Sequence, residues 1–220
     1  SKTVKANISE YFGSSYNEKM LVTYEGVDAE LSKQNGNKPA QTIQKPYFLY
    51  IGNFYPHKNV EHLIKAFLSV DRRYSLYLIG PHDYFFHRIK ALISDVSLSD
   101  RIFFDTSPST SEIVWYYRNA TALIHPSLAE GFGLPLIEAS YFHLPIIASD
   151  IPVIHEVLGK YFLPCDPYDP DDIAKKISNF LASSHQEKYY LPQDYLESTY
   201  FFEKMAELTY RQYQSLVSSC

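Results

Sequence analysis

The chain has 220 residues, 45% of them hydrophobic and 16% aromatic, which is enough to bury a core without disulfides or metal and short enough for a single domain. Twenty Lys and Arg against 25 Asp and Glu leave a formal net charge of −5, with no long block of like charge to bind nucleic acid or anionic lipid nonspecifically. Two cysteines, Cys165 and Cys220, draw no disulfide framework, and neither a signal peptide nor a membrane-length apolar run is present, so the sequence reads as soluble and cytoplasmic.

In chain order, Met20 to Tyr24 is an early strand candidate. Tyr47 to Ile51, Ser75 to Ile79, Arg101 to Phe104, Ala122 to His125, Pro145 to Ala148 and Tyr161 to Leu163 follow as short apolar runs separated by segments of helical period. That alternation predicts an α/β fold, a Rossmann-like parallel sheet of about six strands with helices on both faces. Val60, Leu63, Ile64, Phe67 and Leu68 make one apolar stripe on a crossover helix. Asp169 and Pro170 supply a cap and a first-turn proline for a helix carrying Ile173, Ile177, Phe180 and Leu181. After a polar loop near Ser183 to Gln186, Phe202, Met205, Ala206, Thr209, Tyr213 and Leu216 share the face of a terminal helix. This stripe either faces a partner or folds back on its own sheet.

In open parallel sheets ligands bind where strands end and helices begin. Gly52 to Asn59 is one such junction: the glycine permits a tight turn, and Lys58 beside a helix start is a candidate phosphate clamp, or else a solvated charge. Glu130 to Glu138 is a second. Gly131 and Gly133 leave backbone amides open to a ligand, Pro135 suits a helix start, and Glu138 is expected in the first helical turn. Carboxylates beside free amides suit a sugar and its phosphates, although Glu138 complementing its helix dipole and Glu130 lying in solvent are the alternatives. His62, His82, His87, His125 and His155 show no metal spacing and read as surface or packing residues. Trp115, Tyr116 and Tyr117 read as helix packing.

Glu130 and Glu138, with Gly131 to Ile137 between them, resemble the signature of the retaining family-four glycosyltransferases of GT-B fold. His125 to Ser127, Leu144 to Asp150, Tyr50 to Gly52 with Lys58 and Asn59, Leu63 to Phe67, Tyr24 to Asp28 and Asp166 to Asp169 are similar to other segments of that family, in order, from about Tyr24 to Leu181.

The resemblance implies the second, donor-binding domain of such an enzyme. Residues 1–20 would be a remnant of the interdomain region and 21–183 the nucleotide-sugar-binding domain. Residues 184–220 would be a loop and terminal helix returning towards an absent amino-terminal acceptor domain. Exposed without that domain, the helix is expected to self-associate. The donor would be a UDP- or GDP-linked hexose, mannose among the family's sugars, used in glycan or polysaccharide synthesis at the cytoplasmic side of a membrane, with no other cofactor and no metal. Carried over by position, Lys58 contacts the diphosphate, Glu130 and the amides of Gly131, Phe132, Gly133 and Leu134 the sugar and phosphates, and Glu138 the ribose. Gly52 and Asn53 lie at the first junction, while Gly80, Thr106 and Ser107 lie in loops framing the base. Lys58 and Glu130 are the expected catalytic residues, and the isolated chain is expected to be inactive. Asn53 stands where many relatives carry an arginine, and His143 where they carry a glycine. A noncatalytic nucleotide-binding module, or the donor subunit of a two-chain enzyme, is the alternative reading.

Overall fold

The computed structural model describes residues 1–220 apart from 28–30, 32, 42, 45, 96–97, 99 and 219–220, so Asp28 and Cys220 lie outside the described residues, as does the side chain of Leu216. Its centre is one six-stranded, fully parallel sheet in the order β3-β2-β1-β4-β5-β6. The strands are β1 (Tyr47–Ile51), β2 (Ser75–Ile79), β3 (Ile102–Asp105), β4 (Leu123–His125), β5 (Ile146–Ser149) and β6 (Leu163–Cys165). The helices are α1 (Lys2–Phe12), α2 (Val60–Phe67), α3 (Tyr84–Asp95), α4 (Thr110–Asn119), α5 (Leu134–Tyr141), α6 (Pro152–Leu158), α7 (Pro170–Ala182), α8 (Gln193–Thr199) and α9 (Phe202–Ser218).

The strands are largely apolar because helices cover both faces. Along β1, Phe48 and Tyr50 point into a core shared with Leu63, Ile64 and Phe67 of α2, Phe86 and Ile89 of α3, and Ile173, Ile177 and Phe180 of α7. Tyr47 and Leu49 point the other way, towards Tyr116 and Tyr117 of α4, Leu136 and Ile137 of α5, Val153 and Ile154 of α6, and Leu196 of α8. Each such side chain, fully buried, contributes roughly 1.5–3 kcal/mol of hydrophobic stabilisation. Of the stripe read at Val60, Leu63, Ile64, Phe67 and Leu68, the first four are buried on α2, whereas Leu68 lies just past its end and is exposed; the Asp169 cap at α7 is present, Asp169 accepting a hydrogen bond from the Asp171 amide at 2.9 Å.

The structure departs from the sequence reading in several places. Met20 to Tyr24 forms no strand. The Met20 carbonyl accepts a bond from Lys5 Nζ at 2.6 Å, and Tyr24 stacks on Phe132 with ring centroids 5.8 Å apart, so this run serves α1 and the helical layer and not a sheet edge. The last strand runs two residues later than expected, because Phe162 is spent in the core and the pairing with β5 begins at Leu163. Helices α1 and α8 were not anticipated. The amino end of α1 is held by Glu156 of α6, which accepts bonds from the Lys2 and Thr3 amides at 2.6 and 2.7 Å and from the Thr3 hydroxyl. Burial pushes the Glu156 carboxyl up, but these bonds and one from Tyr24 hold it below its usual range.

Helix α9 begins where Val27 and Phe201 form an isolated parallel bridge, and Phe202, Tyr210, Tyr213 and Val217 along it are exposed. His143, two residues past the end of α5, has a left-handed backbone, φ 54, a region that only glycine enters without strain.

Candidate functional site

In this strand order the connection reverses direction between β1 and β4, and the crevice beyond their carboxyl ends is where an open α/β sheet binds its ligand. The chain beyond β1 turns at Gly52 and passes through a short 3-10 turn, Pro56–Lys58, into α2. The backbones here are close: a Cβ built on Gly80, after β2, would lie 2.2 Å from the Gly52 carbonyl oxygen, so only glycine fits. Asn59, buried and left-handed at φ 59, donates from Nδ2 to the carbonyls of Pro126 at 2.9 Å and Pro167 at 2.6 Å. It thereby ties the loops after β1, β4 and β6 to one another. The Leu128 amide adds a bond to the His57 carbonyl at 2.8 Å.

These ties bring Lys58 and Glu130 together, 72 residues apart in sequence: Lys58 Nζ donates to Glu130 Oε1 at 2.7 Å, with side chains 15% and 6% exposed. The same oxygen receives His125 Nε2 at 2.7 Å, and Ser127 Oγ lies 3.3 Å from that nitrogen. Burial favours the neutral form of Glu130, yet the bond and charge of His125, with the bonds from Lys58 and Ser127, outweigh it and hold the carboxyl at about 2. Glu130 is therefore an ionised acceptor near neutral pH and cannot serve as a general acid there. In place of the surface or packing role its sequence context suggests, His125 is the buried partner of the site's carboxylate. The signal that could have found it was its place at the last position of β4, aimed at the strand-end crevice.

Beyond Glu130 the backbone is open. The amides of Gly131, Phe132, Gly133 and Leu134 donate to no protein acceptor among the described residues. A Cβ at Gly131 would meet nothing within 4 Å, so no protein neighbour requires glycine there. Gly133, by contrast, is left-handed at φ 96 and starts α5.

Glu138 lies one turn deeper than expected, at the fifth residue of α5 and not in its first turn. Its Oε2 accepts a 2.6 Å bond from the hydroxyl of Tyr117, a fully buried residue of α4. Burial raises the Glu138 carboxyl above its usual range, and the Tyr117 bond only partly opposes this. Tyr116 and Tyr117 are core residues as anticipated, but both also place polar groups: the Tyr116 hydroxyl donates to Asp105 Oδ2 at 2.9 Å, at the end of β3. Thr106 and Ser107 follow there, Ser107 folding its amide onto Asp105 Oδ1 at 3.3 Å. Gly80, Thr106 and Ser107 thus sit at the ends of β2 and β3, on the same rim as Lys58 and Glu130 but bonded to neither. Asn53 accepts the Tyr55 amide at Oδ1, 3.3 Å away, so its side chain is folded onto its own loop.

The described residues contain no group of three His, Cys, Asp or Glu side chains placed to hold a metal ion. No helix among them is long and apolar enough to cross a membrane.

Fold and site together define an open, doubly wound α/β domain whose cation, carboxylates and free amides collect at the topological switch point. The chain belongs to the glycosyl transferases group 1 family, whose sequence model matches residues 33–192. It is 33% identical over 180 residues to the O-antigen chain mannosyltransferase RfbU of Salmonella typhimurium, a match covering 80% of this chain and 49% of that protein. The chain thus spans about half the length of that curated relative. Among solved structures, a glycosyltransferase from Rickettsia africae superimposes with a TM-score of 0.81 at 19% identity, over 100% of this chain and 63% of the other. Anabaena HepE in complex with UDP and glucose gives 0.76 at 16% identity, over 89% and 56%. The fold is that of the carboxy-terminal domain of GT-B glycosyltransferases.

Proposed function

We propose that this chain is the donor-binding half of a retaining glycosyltransferase that moves a hexose, mannose foremost, from a UDP- or GDP-linked donor to an acceptor in surface glycan or polysaccharide synthesis. The observation that carries this reading is the Lys58–Glu130 pair beside four unengaged amides at the start of a helix. A lysine with such amides suits a diphosphate, and an ionised carboxylate suits sugar hydroxyls. Mannose is favoured by the O-antigen mannosyltransferases among the relatives, and a nucleotide donor by the UDP and glucose bound in HepE.

In the reaction, the bond from the anomeric carbon to the diphosphate oxygen breaks and its electron pair leaves with the diphosphate. Lys58 and the amides of Gly131 to Leu134 stabilise that growing charge. The acceptor hydroxyl forms the new bond on the face the leaving group vacates and gives its proton to the departing diphosphate oxygen. Glu130 accepts hydrogen bonds from the sugar and Glu138 from the ribose, while the loops at Gly80, Thr106 and Ser107 border the base. The acceptor site would be furnished by a second domain, against which the exposed face of α9 packs, and this chain alone would not turn over.

Calorimetric titration of the chain with UDP- and GDP-hexoses tests the reading. Binding of one of them, weakened at least tenfold in Lys58→Ala, is the expected result. A folded chain that binds no nucleotide sugar overturns it.

One observation favours a second reading, a noncatalytic nucleotide-binding module or the donor subunit of a two-chain enzyme. Asn53 brings no charge to the diphosphate and spends its side chain on its own loop. An active full-length protein whose turnover is lost in Lys58→Ala argues against the module.

A further inference from the structure

His125 presents an arrangement that packing does not explain. It is 1% exposed, at the last position of β4, and its Nε2 lies 2.7 Å from Glu130 Oε1. A carboxylate can only accept, so Nε2 carries the hydrogen. Nδ1 is buried, and no described residue gives it a hydrogen-bond partner. An unpartnered buried polar atom costs stability, and an apolar side chain would avoid that cost, so the gain from a histidine here lies at Nε2.

That gain is specific to the Glu130 oxygen, which also holds Lys58 at 2.7 Å. A ligand diphosphate arriving at the crevice competes with Glu130 for Lys58. If Lys58 were the carboxylate's main support, its departure would strand a buried negative charge beside two incoming ones, and the ion pair would resist opening. A rigid N–H donor at the same oxygen keeps the carboxylate solvated by protein in both states.

We propose that His125 is a positioning residue that retains Glu130 through Nε2–H, so that Lys58 is free to exchange the carboxylate for a nucleoside diphosphate. This rests on the donor-site reading above. His125 touches no reacting atom; it acts through Glu130 and Lys58, with the Ser127 hydroxyl, 3.3 Å from Nε2, as the other polar side chain at this point.

The test uses UDP and GDP as calorimetric probes and ring nitrogen-15 spectroscopy of the free chain. His125→Leu is expected to weaken binding of the preferred nucleoside diphosphate at least tenfold. His125→Gln, whose amide offers an N–H at the place of Nε2, stays within threefold of native. In a Glu130→Gln background, where no carboxylate competes for Lys58, His125→Leu should change the affinity less than twofold. Equal losses in His125→Leu and His125→Gln, or a His125→Leu loss that persists in the Glu130→Gln background, overturn the proposal and leave His125 a packing residue. If neither nucleoside diphosphate binds native chain, the donor-site reading fails, and the proposed exchange fails with it. The ring spectrum tests the Nε2–H contact independently of any ligand. A hydrogen on Nε2 is expected, with an Nε2 resonance that moves in Glu130→Gln. A bare Nε2 overturns the proposal even if His125→Leu does not fold.

Discussion

Lys58 Nζ and Glu130 Oε1 meet at 2.7 Å across the crevice between β1 and β4, so the cation suited to a ligand diphosphate is neutralised within the protein itself. On the donor-site reading proposed above, ligand binding exchanges one partner of Lys58 for another. Lys58→Ala should weaken nucleoside diphosphate binding by about 1.5–3 kcal/mol, the range for a hydrogen bond to a charged group, as measured by calorimetry. A loss well below this would make Lys58 a solvated charge with no ligand role.

Glu130 and the partners of its carboxylate, His125 foremost and then Lys58 and Ser127, set an acid limit on stability. Glu130 is held at about 2 in the folded chain, against an ordinary value near 4.5, so the unfolded chain takes up the proton first as pH falls. The stabilisation is fully present above about 4.5 and is lost progressively towards 2, amounting to roughly 3 kcal/mol at full extent. Urea unfolding between pH 7 and pH 3 should show native chain losing stability relative to Glu130→Gln, which lacks the titrating group. Parallel pH profiles for the two would contradict this.

Glu138 behaves in the opposite sense. Its folded carboxyl is raised by burial, so ionisation near neutral pH costs the fold, and the cost disappears as the pH falls and the group protonates. Glu138→Gln keeps an acceptor for the Tyr117 hydroxyl and removes the charge. It should melt at a higher temperature than native chain at pH 7 while binding a nucleoside diphosphate about tenfold more weakly, as expected for a lost charge-assisted bond worth ~1.5 kcal/mol. A variant with unchanged affinity would return Glu138 to a purely structural role.

Asn59 joins three loops through two buried side-chain bonds and a left-handed backbone. Asn59→Ala loses both bonds and strains the backbone, for an expected cost of about 2–4 kcal/mol in denaturant unfolding. Asn59→Gly keeps the backbone unstrained and should cost measurably less. Equal costs would assign the whole effect to the side chain.

At His143 the expected change is a gain. With φ 54, His143→Gly relieves the left-handed strain and loses the ring contact with Tyr190, whose centroid lies 5.3 Å away. The net effect expected in thermal unfolding is about 0.5–1 kcal/mol of added stability. A destabilised variant would show the ring contact to outweigh the strain.

Glu156 should govern the anchoring of α1. Glu156→Ala removes the acceptor of the Lys2 and Thr3 amides, and a capping loss of about 1 kcal/mol is expected for the helix. Amide hydrogen exchange at Val4 to Ile8 should accelerate while β1 and β4 keep their protection. Exchange that rises equally throughout would show α1 to be integral to the core.

The parallel sheet, its six strands within a residue or two, the crossover stripe at Val60 to Phe67 and the capped start of α7 were legible in the sequence by itself. Each is written in local terms: apolar runs too short for helices, a repeat of three and four residues, an aspartate before a proline. That Lys58, Glu130 and Glu138 lie near strand-to-helix junctions was legible as well, because such junctions fall at the carboxyl ends of the strands whatever the rest of the chain does. Tertiary structure decided what no local pattern encodes. Whether Met20 to Tyr24 pairs as a strand depends on a free sheet edge nearby, and α1 and Phe132 claim that run instead. Whether a histidine is surface, packing or partner depends on what faces it, and His125 faces a carboxylate five residues on only because the loop after β4 folds back over the strand end. Lys58 finds Glu130 because Asn59 and the Leu128 amide draw the two loops together. The opposite shifts of Glu130 and Glu138 follow from burial that differs little and partners that differ in charge, a quantity defined only once the chain has folded.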